Sequence, residues 1–229
     1  DGGWSSFGGI DIRGTWTATG TETITDRAAW NNGGTFNAAQ STVDLPRVTQ
    51  GINYLMTGTT TFYNLTFSGT GYGWKISDDL VVQNTLSITN SWEGGNIVAD
   101  DGEAHTISVA GNVSSTGEVS MGSQLTVVMN GTGAQTVTTS STTNTTSGSI
   151  GSLRISNTTT AVQLGSNLKV RGKLTIDTST TLDVTTNNYS IDIWFGYGVE
   201  LATIGWVKNG TFNQRQGTVT FITNLQGIM

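Results

Sequence analysis

An all-β solenoid is the fold this sequence predicts, with a stack of β-sandwich repeats as the alternative. Three observations point there. Helix formers are scarce: 11% of the 229 residues are charged, and no stretch spaces apolar residues for a helix face. β-Branched Thr and Val abound beside turn-forming Asn and 31 Gly. Triplets of the Leu-x-Val and Leu-x-Ile kind recur along the chain, as stacked rungs with aliphatic ladders inside would require. Asn-Gly hairpin turns, which a sandwich would use, are few. Disorder, which Ser/Thr/Gly-rich chains often show, is countered by 7 Trp, 5 Tyr and 7 Phe set among alternating aliphatic residues.

The elements follow in order. Ile10-Asp11-Ile12 reads as a short strand, and Trp30 to Phe36 with Val43 as two more. Phe62 to Phe67 and Leu80 to Ile88 alternate cleanly, and Ile107-Ser108-Val109 and Leu125-Thr126-Val127 repeat the pattern. Thr136 to Ser149, almost pure Thr, Ser, Asn and Gly, reads as a long polar loop. Beyond it Leu168, Val170, Leu174, Ile176, Leu182 and Val184 point one way, with Lys169, Thr175 and Asp183 opposite. Gly172 and Asn187-Asn188 mark bends.

Self-similarity sets the expected organisation. At an offset of 88, Leu65, Phe67, Trp74, Ile76, Leu80, Val82, Leu86 and Ile88 meet Leu153, Ile155, Val162, Leu164, Leu168, Val170, Leu174 and Ile176 without a gap. Trp30 to Phe36 resembles Trp206 to Phe212, and Ile10-Asp11-Ile12 resembles Ile191-Asp192-Ile193. The expectation is an internal repeat of about 88 residues, each holding about four rungs of 20–25 residues. The units are a partial repeat over 1–29, repeats over 30–111 and 112–205, and a partial third over 206–229.

Composition excludes several functions. With no Cys and the single His105, neither a disulfide scaffold nor a thiolate or His-cluster site is expected. A net charge of -6 argues against nucleic acid, and no apolar run reaches the length of a spanning helix. The acids Asp78-Asp79, Asp100 to Glu103, Asp177 and Asp183 show no convergence toward a catalytic pair, so no enzyme is expected. They read instead as solvated turn acids.

Phe62-Tyr63-Asn64-Leu65-Thr66-Phe67, Leu168-x-Val170-x-Gly172-x-Leu174-Thr175-Ile176, Thr181-Leu182-Asp183 and Gly217-Thr218-Val219-Thr220-Phe221 together resemble the long repeats of secreted prokaryotic surface proteins. The resemblance spans nearly the whole chain and departs at Asn84, where the pattern has Gly, and from Ser91 to Glu103. It implies a right-handed β-solenoid or related stack at the cell surface, in adhesins, stalks or filaments. It implies no catalytic residues.

The functional expectation is therefore a structural subunit of an extracellular filament, stalk or adhesin, whose partner is a second copy of itself. Glycan or receptor binding, in an adhesin or a virion fibre, is the alternative. The strands around Ile10, Ile12 and Trp16 and around Phe212, Val219, Phe221 and Leu225 are the candidate assembly elements, joining subunits head-to-tail by strand addition. Asp100, Asp101 and Glu103 are candidate calcium ligands, hard oxygens on a Gly-containing loop, and no other cofactor is expected. Trp74 is expected in the core. Trp194-Phe195-Gly196-Tyr197 should place an aromatic outside, for a subunit contact or a sugar. Sequons at Asn64, Asn112, Asn130, Asn144, Asn157, Asn188 and Asn209 are candidate glycosylation sites. Thr15-Trp16-Thr17, Thr21-Glu22-Thr23 and Thr59-Thr60-Thr61 are unevenly spaced, which argues against an ice-binding ladder. The start at Asp1-Gly2-Gly3 fits a mature secreted chain or a fragment.

Overall fold

The computed structural model describes residues 9–47, 54–71, 73–91, 96–99, 101–118, 120–140, 148–195 and 205–223. Within them the chain winds as a parallel β-solenoid with three faces. The first turn is β1 (Ile10–Ile12), β2 (Thr15–Thr17) and β3 (Thr23–Thr25), one strand per face. The second is β4 (Trp30–Asn32), β5 (Thr35–Asn37) and β6 (Thr42–Arg47). In the next two turns β7 (Tyr54–Thr57) and β9 (Trp74–Ile76) occupy the first face. β8 (Thr60–Gly69) and β10 (Leu80–Ile88) each run through the second face and on into the third. There follow β11 (Asn96–Ala99), β12 (His105–Val109), β13 (Val113–Ser115), β14 (Ser120–Met121), β15 (Leu125–Met129) and β16 (Gln135–Thr139). Ile150 holds the first face of the next turn by a bridge to Val170, before β17 (Ser152–Ile155) and β18 (Val162–Leu164). β19 (Leu168–Val170), β20 (Leu174–Ile176), β21 (Thr181–Asp183), β22 (Ile191–Phe195), β23 (Trp206–Lys208), β24 (Thr211–Asn213) and β25 (Val219–Thr223) complete the stack.

The ladders among the described residues are parallel, and a turn takes about 23 residues. On the third face Ile24, Val43, Leu65, Leu86, Val113 and Val137 stack one above another, all buried. On the second face Val82, Val109, Met129, Ile155 and Ile176 do the same. The period-2 alternation of a strand turns each Leu-x-Val triplet into two inward knobs and one outward residue. Stacking each knob between layers removes its surface from water, the main favourable term of the fold. The solenoid expectation holds and the sandwich alternative does not, because a sandwich is built on antiparallel pairs.

The 88-residue repeat is not supported. Leu80, Ile107, Val127 and Leu153 stack in one column, three turns, and the chain then advances two further faces to reach Leu168. The offset therefore matches strands on different faces: Leu80 and Val82 on the second face with Leu168 and Val170 on the first, and Leu86 and Ile88 on the third with Leu174 and Ile176 on the second. All three faces need the same in-out-in triplet, so sequence similarity does not tell one from another. The Thr136 to Ser149 loop also needs correction. Thr136 to Thr139 lie in β16, where Val137 points inward and β-branched Thr suits the pleat; residues 141–147 lie outside the described residues.

Tightly turned corners account for two glycines. A Cβ at Gly111 would stand 1.9 Å from the Asn84 carbonyl oxygen, and one at Gly210 would stand 2.2 Å from that of Asp177. Both approaches are backbone against backbone, which only Gly permits.

Candidate functional site

Among the described residues, the acids singled out in the sequence converge on no common point. Most tie one turn to the next. Asp78 accepts a hydrogen bond from the Gly58 N–H at 2.7 Å, and Asp79 accepts one from the Thr106 N–H at 2.7 Å. Asp11 accepts from Asn31 Nδ2, and Asp44 from the Ser68 hydroxyl. Asp177 takes the Arg154 Nε–H at 2.8 Å and the Ser156 hydroxyl at 2.5 Å. Asp183 is held bidentately by Arg215, Nε to Oδ1 and Nη2 to Oδ2, each 2.8 Å. The expectation of solvated turn acids is thus incomplete: these carboxylates act as struts between turns. Asp183 itself is buried rather than free in water, because Arg215 folds back over it from beyond β24. That guanidinium holds the Asp183 carboxyl below the usual carboxylate range. Asp26 behaves oppositely. Burial pushes its carboxyl up, although the N–H groups of Ala28 and Ile10 partly stabilise the charge.

Of the candidate calcium ligands, Asp100 lies outside the described residues. The two oxygens of Asp101 face His105 Nε2 at 3.0 Å, and Oδ1 also accepts the Glu103 N–H at 2.9 Å. The N–H of Glu103 and then His105 hold the Asp101 carboxyl below its ordinary range. Glu103 is exposed. Among the described residues no group of three or more His, Asp or Glu side chains is placed to hold a metal ion. Local spacing gave no sign of the Asp101–His105 pair, because four residues bring side chains together on a helix, and here a bend leading into β12 does so.

The candidate assembly residues divide between the two ends of the described stack. Ile12 is buried, and Ile10 and Trp16 are half-buried against the core. Phe212 and Val219 are half-buried at the other end, Phe221 is 55% exposed, and Leu225 lies outside the described residues. Trp206 packs edge-on against Phe212 at 5.1 Å between ring centroids and against Phe221 at 6.4 Å. Trp74 is a core residue as expected, its indole N–H donating to the Leu45 carbonyl at 3.2 Å. Trp194 is half-buried and paired with Ile222 on the outward side of the first face; Gly196 and Tyr197 lie outside the described residues.

Some of the sequons have a structural origin in the solenoid. Two sit where the second face turns into the third, with Asn at the corner, an inward aliphatic next and an outward hydroxyl after it. Asn64-Leu65-Thr66 and Asn112-Val113-Ser114 are of this kind. Corner asparagines hydrogen-bond along the axis: Asn84 Nδ2 donates to Asn64 Oδ1 at 2.8 Å, and Asn64 Nδ2 to Thr42 Oγ1 at 3.2 Å. Asn157 is buried, its Nδ2 spent on the Gly133 carbonyl and on Gln135 Oε1, so it does not present an amide for glycosylation. Asn188 Oδ1 accepts the Gln216 N–H. Asn112, Asn130 and Asn209 are exposed, and Asn144 lies outside the described residues.

The class these observations define is a three-faced parallel β-solenoid tied together by polar struts. No family model, curated protein or solved structure matches the chain. No helix among the described residues is long and apolar enough to cross a membrane.

Proposed function

We propose that the protein is a structural element of an extracellular filament, stalk or surface adhesin, extended by head-to-tail addition of further copies. The observation that carries the reading is the edge made by β23, β24 and β25. Its inward residues Trp206, Phe212, Val219 and Phe221 continue the core columns yet stay partly exposed. A parallel stack has the same strand direction at both ends. A second copy placed with its β1, β2 and β3 on that edge keeps every ladder parallel and buries the aromatic cluster against Ile10 and Trp16. Such a contact is heterologous and does not close, so it propagates. Extracellular placement is supported by the resemblance to prokaryotic surface repeats. Self is the partner, and the acids engaged as struts suit a mechanical role better than a catalytic one.

Electron microscopy of the purified chain, before and after removal of residues 217–229, tests this. Filaments that disappear on truncation support the reading. Discrete particles in both samples overturn it.

A further inference from the structure

We propose that the outward side of the third face is an ice-binding surface. The observation is a two-column array invisible in the linear sequence. One column runs Thr25, Asp44, Thr66, Ser87, Ser114, Thr138, each the ladder partner of the next. The other runs Thr23, Thr42, Asn64, Thr85, with Asn112 and Thr136 in the following turns. Each rung is thus a polar residue, a buried aliphatic and a second polar residue: Thr23-Ile24-Thr25, Thr42-Val43-Asp44, Asn64-Leu65-Thr66, Thr85-Leu86-Ser87, Asn112-Val113-Ser114, Thr136-Val137-Thr138. Members of the first column lie between 19 and 27 residues apart along the chain, so it has no fixed period in the sequence, and of the unevenly spaced Thr triplets there only Thr23 belongs to the array. Corners of different length absorb the difference, so the ladder restores one spacing.

That spacing suits a lattice ligand; every parallel β stack shares it, so the choice of face rests on the side chains it carries. Stacked strands stand about 4.8 Å apart, and alternate residues along a strand about 6.6 Å. These two repeats lie close to the oxygen repeats on a prism face of ice, so hydroxyl and amide groups in two such columns can take positions in its lattice together. The composition argues the same way. A sugar-binding face uses aromatic rings for stacking, and an ion-binding face uses clustered charge. The twelve residues include no aromatic, and Asp44 is the one ionisable group among them, already accepting from Ser68 at 2.6 Å.

The array is also held in place before any ligand arrives. Asn64 donates to Thr42, Asn84 to Asn64, and Asn112 Oδ1 accepts the Thr136 N–H at 2.8 Å. Beneath it Ile24, Val43, Leu65, Leu86, Val113 and Val137 are buried and packed. Little conformational entropy remains to be lost when water orders on this surface, which is the benefit of preorganisation. The inference stands apart from the filament reading, since it needs only one copy of the chain.

The test is incorporation of the fluorescently labelled chain into a slowly growing ice hemisphere, with thermal hysteresis measured alongside. The wild-type chain is expected to enter the ice. Thr66→Lys, in the middle of the array, is expected to be excluded while keeping its melting temperature. Thr126→Lys, on the outward side of the second face, is expected to enter as the wild type does. Exclusion of the wild-type chain overturns the proposal, as does equal loss in both variants. Retention on insoluble cellulose without entry into ice also overturns it, and assigns the face to a polysaccharide instead.

Discussion

The second turn of the stack and its C-terminal edge bury aromatic residues to different extents. Near the N-terminal end Trp30 is fully buried, with Phe36 and Phe62 each 5.2 Å away and Trp16 at 6.3 Å. A polar knot fixes it: Thr60 Oγ1 accepts from Trp30 Nε1 at 3.2 Å and from Asn32 Nδ2 at 3.1 Å, and donates to the Gly58 carbonyl. At the C-terminal end Trp206, Phe212 and Phe221 form a similar trio that stays partly in water. The same inward pattern gives different burial because a solenoid residue is covered by the layers above and below it. Trp30 lies in β4, between β1 and β7; an aromatic in β23 to β25 has a layer on one side among the described residues.

The contrast predicts unequal costs. Trp30→Ala should destabilise most, by about 3–5 kcal/mol, because it leaves a cavity and strands part of the knot. Trp206→Ala should cost less, about 1–2 kcal/mol, since half-burial forfeits less transfer energy. Urea unfolding of the two variants measures both. Equal losses would break the comparison and mean that the C-terminal trio is covered in solution. Covering by a second copy would make the Trp206→Ala loss grow with protein concentration.

Thr60→Val keeps the shape of the knot and removes its oxygen. It should cost on the order of 1–3 kcal/mol, because the Trp30 and Asn32 donors are left buried without their acceptor. A thermal melt reads it, and a neutral result would mean that water replaces the hydroxyl.

The ends should also respond oppositely to acid. Asp183 is held low by Arg215, so its contribution is complete above the unfolded carboxylate pKa and is lost as pH falls through the folded value. The stability gap between the wild-type chain and Asp183→Asn should therefore shrink on acidification. Asp26 is held high by burial, so the folded chain binds its proton more tightly than the unfolded chain does. The cost of ionising it is complete above the folded value and disappears below the unfolded one. Acidification should thus shift the balance toward the wild-type chain relative to Asp26→Asn, the smallest effect of the set. Melting curves over a pH series check both slopes, and parallel slopes would refute the assignment.

Much of the fold was legible in the residues. The triplets Leu80-Val81-Val82 and Leu168-Lys169-Val170 specify two inward knobs and one outward residue wherever they lie, and Trp74 sits in the core as its neighbours demanded. The acids were visible too, though not their partners: Asp183 and Arg215 are 32 residues apart, and Asp177 and Arg154 are 23 apart. Those separations are one turn of varying length, which no local pattern encodes. The ordered Thr and Asn columns of the third face were hidden for the same reason.

By itself the sequence determined the strand chemistry: which residues face in, where the chain bends, and that stacked parallel rungs suit its aliphatic rhythm better than paired hairpins. Tertiary structure alone decided which rung rests on which face. Three faces share one inward pattern, so hydrophobic burial is nearly indifferent among them. Turn length, corner glycines such as Gly111 and Gly210, and the polar struts from Asp78, Asp79 and Asp177 break that degeneracy, and they act only once the turns are stacked.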